Sequence, residues 1–125
     1  MRLYIIFLFL IAIPVMESQA GEADVVAVNI VELQEGSYRF DVTVSHQDEG
    51  WKHYADKWDI VGPEGTVFGT RTLLHPHVDE QPFERSLSGV KIPNDINLIT
   101  VRAHDLVHQY GGKVMVVKIP RQADQ

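Results

Sequence analysis

The chain has 125 residues, no cysteine, six histidines and a formal net charge of −6 at pH 7. The missing thiol excludes a disulfide framework, thiolate chemistry and a blue-copper centre, which needs a cysteine ligand. The acidic balance, with no Lys/Arg cluster to offset it, argues against nucleic acid and anionic membrane as partners.

Met1-Arg2 gives a short positive start, and Leu3 to Met16 is almost wholly apolar, interrupted by Pro14. Ser18 and Ala20 then supply a small-x-small ending. This is the layout of an export signal, residues 1–20, cut after Ala20. The apolar run falls short of the roughly 20 residues a membrane span needs. An uncleaved anchor is the alternative, but the reading gives no stable membrane anchor after cleavage. With no cysteine behind the apolar run, a lipid-anchored lipoprotein is not expected. The mature chain, 21–125, is expected to be one domain, periplasmic or secreted.

The first strand is predicted over Asp24 to Gln34, rich in β-branched residues, and Glu35-Gly36-Ser37 turns it into a hairpin. Tyr38 to His46 alternates cleanly: Tyr38, Phe40, Val42 and Val44 face one way, Arg39, Asp41, Thr43 and Ser45 the other. After the polar Gln47 to Gly50, Trp51 to Tyr54 leads into a strand over Asp56 to Val61, with Trp58 and Ile60 on one face. Gly62-Pro63-Glu64-Gly65 is a tight turn, and Thr66 to Leu74 the return strand, with Gly69 a candidate bulge. A loop from His75 to Pro82 precedes Phe83 to Ile92, which alternates weakly. Beyond the turn at Pro93-Asn94-Asp95, Asn97 to His104 alternates again, with Ile99, Val101 and Ala103 inward. Asp105 to Lys113 is a loop and Val114 to Ile119 the last strand. Seven short strands with a turn about every ten residues predict an all-β, immunoglobulin-like antiparallel β-sandwich. A small closed barrel is the rival fold.

Consecutive strands in such a sandwich alternate in direction, so alternate connections share an end. The connections 35–37, 62–65 and 93–96 contain no histidine. Those near 47–55, 75–82 and 105–113 hold or border all six: His46, His53, His75, His77, His104 and His108. Neutral imidazole is the commonest protein ligand for transition metals, and function gathers on long loops held by a rigid scaffold. His75-Pro76-His77 places two imidazoles on one side of an extended segment, so these two are the expected core ligands. One or two of His46, His53, His104 and His108 would complete a site for copper(II) or zinc. Asp48, Asp79, Glu80 or Asp105 would add an oxygen or orient an imidazole. The competing explanation is that these histidines only hydrogen-bond within their loops.

Trp51 and Tyr54 form either an aromatic platform for a sugar or peptide or ordinary packing, and Trp58 is read as core. Solvated loop charge accounts for the carboxylates better than acid/base catalysis does. No nucleophile elbow, phosphate loop, dinucleotide fingerprint or calcium loop is present. No catalytic residue is therefore expected. The mature N-terminus would be Gly21 rather than His, which argues against a copper site built on an N-terminal histidine.

The segments Trp51 to Trp58 (WKHYADKW), Leu74 to Phe83 (LHPHVDEQPF) and Val101 to Asp105 (VRAHD) resemble a group of small exported bacterial β-sandwich proteins of unassigned function. The resemblance covers most of the mature chain and is most distinctive over 74–85. It implies export and a compact β domain, without an activity or a ligand set. The functional expectation is a small periplasmic metal-binding protein that carries, buffers or delivers its ion, with another exported protein as the partner. The alternative is a protein- or glycan-interaction module using the same loops without metal.

Overall fold

Period-two alternation builds the strands where it is cleanest. The structure is a computed structural model that describes residues 21–121; the expected export signal, 1–20, and the last residues of the tail lie outside the described residues. The seven strands are β1 (Asp24–Gln34), β2 (Ser37–Ser45), β3 (Ala55–Val61), β4 (Val67–Thr72), β5 (Phe83–Lys91), β6 (Leu98–Asp105) and β7 (Met115–Lys118). They form one sheet in the order β1-β2-β5 and a second in the order β4-β3-β6-β7, with every pairing antiparallel. Two separate sheets make this a β-sandwich and not a closed barrel. In the constant-type immunoglobulin arrangement the fourth strand joins the sheet of the first two; here β4 pairs with β3 instead.

The core fills the space between the sheets. Tyr38, Phe40, Val42 and Val44 of β2 are fully buried, and they face Trp58 and Ile60 of β3 and Ile99, Val101 and Ala103 of β6. Each large apolar side chain so buried contributes about 1.5–3 kcal/mol of transfer free energy. The weak alternation of β5 has a cause in pairing. Phe40 opposes Leu87 and Tyr38 opposes Val90, so Arg39 faces two residues, and Gly89 takes a φ of 71°. This is a bulge of the kind that glycine permits, and it shifts the inward face of β5 by one residue. The bulge in β4 falls at Phe68, beside the expected Gly69.

Direction places the ends. The β2–β3, β4–β5 and β6–β7 connections meet at one end of the sandwich. Hydrogen bonds tie them together: His46 N–H to Gln81 Oε1 (3.0 Å), His77 N–H to Asp48 Oδ2 (2.6 Å) and Leu106 N–H to the Tyr54 carbonyl (3.3 Å). Asp24 pairs with Ser45, so β1 begins where β2 ends and the chain enters the fold at this same end. No helix among the described residues is long and apolar enough to cross a membrane.

Candidate metal centre

Asp105 is the anchor. As the last residue of β6 it is fully buried, and its Oδ1 accepts the backbone N–H of Val107 (2.9 Å) and of His108 (2.7 Å) as the chain turns. Its Oδ2 is buried with no hydrogen-bond partner. Burial pushes the carboxyl pKa up, but the two amides and the imidazoles of His46 and His108 outweigh it. The net shift is downward, and Asp105 is a carboxylate.

Three imidazoles surround that carboxylate. His53, from the β2–β3 loop, puts Nε2 at 3.2 Å from Asp105 Oδ1, yet out of line for a hydrogen bond, so this buried nitrogen too has no partner. His46, just past β2, has Nε2 at 4.0 Å from Asp105 Oδ2. The His46 and His53 rings meet edge to face at 4.8 Å. His108 stands at the rim, with Nδ1 3.3 Å from Asp105 Oδ1 and its ring 5.1 Å from that of His53. Among the described residues, His46, His53 and Asp105 form the group able to hold a metal ion: one donor atom from each, all within 4.8 Å of one another, all three residues buried.

Asp48 supports the group from behind. Its Oδ1 accepts His46 Nδ1–H at 2.5 Å and the Ala55 amide at 2.9 Å, while Oδ2 takes the His77 amide. Burial raises its pKa, the His46 bond and the two amides lower it further than that, and the group stays ionised. On the far side, His46 Nε2–H donates to the Gly21 carbonyl at 3.0 Å. Both partners of His46 are acceptors, an arrangement that favours the protonated ring. Its pKa is raised accordingly: burial works against the charge, and Asp48, Asp105 and the Gly21 carbonyl overcome it. A metal ion at Nε2 would have to take the place of that proton.

The other histidines lie elsewhere. His75 and His77 are neighbours, with rings 4.6 Å apart, but both are outside the three-donor group. His77 stacks on Phe83 at 4.0 Å, and its Nε2 accepts from Arg85 Nη2 at 3.0 Å. Its pKa is lowered by burial first and then by the charges of Arg85 and His75. His75 is exposed and donates from Nδ1 to the Pro76 carbonyl. His104 faces outward from the four-stranded sheet, where Nδ1 donates to Asp56 Oδ1 at 2.5 Å and the ring meets Tyr110 at 4.8 Å. Tyr110 in turn donates to the buried Asp59 and lies under the Arg102 guanidinium. The adjacency of His75 and His77 is visible in sequence; their capture by Arg85 and Phe83 of β5 depends on tertiary contacts. Asp105, by contrast, carried a signal, an acidic residue directly after a strand-end histidine. Gly21 as a neighbour of His46 follows from the direction of β1, whose start lies beside the end of β2.

Trp58 is fully buried, while Trp51 is 67% exposed with Tyr54 against its edge at 5.8 Å.

The chain is similar to a protein of Halomicrobium mukohataei named "Putative lipoprotein", at 39% identity over 106 residues, covering 81% of this chain and 52% of that protein. It thus spans about half the length of the curated relative it matches. No family model and no solved structure matches it.

Proposed function

We propose that this chain is a small exported metal-binding protein whose ion sits between His46, His53 and Asp105. The observation that carries the reading is two buried donor atoms, His53 Nε2 and Asp105 Oδ2, with no hydrogen-bond partner beside a third donor. A buried polar atom left unpaired costs about 1–3 kcal/mol, and an ion removes that cost at both. Two imidazoles and a carboxylate suit zinc and copper(II), and the same set serves iron(II). His108 is the nearest further imidazole at the rim. His75 and His77 are assigned here to the loop's own hydrogen bonding, not to the ion. Export is supported by the signal pattern at 1–20 and by the printed name of the similar protein. Carriage or buffering of the ion outside the cytoplasm, with delivery to another exported protein, is the role that fits a site on loops of a rigid scaffold.

A second reading keeps the loops and drops the metal. Exposed Trp51, Leu74, Val78, Leu106 and Val107 all lie on the same three connections and would suit a docking partner. Metal stoichiometry separates the two. The untagged chain, equilibrated with zinc or copper(II) and weighed by native mass spectrometry, should carry one ion. His53→Ala and Asp105→Asn should each weaken binding by about 100-fold or more, beyond the usual effect of losing a supporting contact. His75→Ala should leave it unchanged. Binding that follows His75 instead would refute the assignment, and no binding at all would leave the docking reading.

A further inference from the structure

The Gly21 carbonyl oxygen lies 3.0 Å from His46 Nε2, so the start of the folded chain reaches the same nitrogen that faces Asp105. This placement is built in. The Val25 amide donates to the Lys113 carbonyl (2.8 Å), and the Lys113 amide donates to Asp24 Oδ1 (2.7 Å). Gly112 packs so closely on the buried Ala23 that a Cβ there would stand 2.0 Å from the Ala23 carbonyl oxygen. Any side chain at 112 would therefore collide with backbone. The β6–β7 connection, which begins just after Asp105, thus clamps residues 23–25 and aims Gly21 at the site.

We propose that the α-amine of Gly21, freed when the export signal is cut after Ala20, completes the metal centre together with the Gly21 carbonyl. The inference rests on the metal reading above and on that cleavage. An amide nitrogen inside a peptide bond has no lone pair to give, whereas a free amine does. Covalent geometry keeps the nitrogen of a residue within about 4 Å of its own carbonyl oxygen. Amine and carbonyl bound to one ion close a five-membered chelate ring through Cα. Donors about 2.0–2.2 Å from a shared ion stand roughly 3.0–3.5 Å apart. The His46 Nε2 to Gly21 oxygen distance, 3.0 Å, suits neighbouring ligands of one ion. With His46, His53 and Asp105, the chelate brings the set to five donors, three of them nitrogen. The unprocessed precursor lacks the amine and holds metal weakly, so tight loading follows export.

The test compares three forms: the chain starting at Gly21 with a free amine, the same chain with that amine acetylated, and the chain with Ala20 retained. Copper(II) affinity is measured by competition, and the bound copper by electron paramagnetic resonance. Melting without metal checks that all three fold alike. The free-amine form should bind about 10-fold or more tightly than the other two, with one additional nitrogen in its spectrum. Equal affinities and identical spectra would overturn this proposal while leaving the His46, His53 and Asp105 site standing, provided that binding is still lost in His53→Ala. No binding by any form would overturn both. An exported protein whose first residue, by mass spectrometry, is not Gly21 would overturn this proposal alone.

Discussion

Asp48 shows how much one buried carboxylate can decide. It holds His46 Nδ1, the Ala55 amide at the entry to β3, and the His77 amide in the β4–β5 connection. Asp48→Ala leaves a buried imidazole nitrogen and two buried amides without partners, and should lower stability by about 3 kcal/mol or more. Urea unfolding of the metal-free protein measures this, and a loss below about 1 kcal/mol would show that the network carries little. The same residue explains what the sequence could and could not reveal. Six histidines at one end follow from strand parity alone. Which of them converge depends on which ring nitrogens are already taken. His77 loses Nε2 to Arg85, eight residues away on β5, and His104 gives Nδ1 to Asp56 on the next strand. The spacing of His75 and His77 made them the natural expectation for core ligands, and nothing local announces the competing partners.

At the level of strands, clean alternation was enough for β2 and β6, where one face is buried and the other is half-exposed. It fell short for β5, because the bulge at Gly89 offsets the period. The outer face of the three-stranded sheet is held by a polar hub that no single strand reveals. Asp41 on β2 accepts Ser86 Oγ–H from β5 (2.6 Å), Asn29 Nδ2–H from β1 (3.2 Å) and Arg39 Nε–H from its own strand (3.1 Å). Arg71 of β4 reaches the Ser86 carbonyl at 3.0 Å and ties the two sheets at their edge. The Ser86 hydroxyl does most to hold the Asp41 pKa below its ordinary value of 3.8, against a smaller effect of burial. A depressed folded-state pKa means that the ionised group stabilises the fold above the unfolded-state pKa, and that this stability is lost as pH falls through the folded-state value. Asp41→Asn should therefore cost about 1–2 kcal/mol at neutral pH. The gap to wild type should close as pH drops below 3.8. A gap that stayed constant across this range would mean that the charge of Asp41 is not what matters.

Across the whole molecule, the antiparallel sandwich does two things for the site. It sends the β2–β3, β4–β5 and β6–β7 connections to one end, and it starts β1 at that end as well. The three connections that hold or border the histidines and the entry of the folded chain thus share one end. The core, with Trp58, Tyr38 and Phe40 fully buried, holds the two sheets together without a disulfide. The most direct test of the account is anomalous diffraction from crystals of the mature chain grown with zinc. The account predicts one peak lying about 2.0–2.2 Å from an imidazole nitrogen of His46, one of His53 and the carboxylate of Asp105. A peak between His75 and His77, or none at the Asp105 carboxylate, would contradict it.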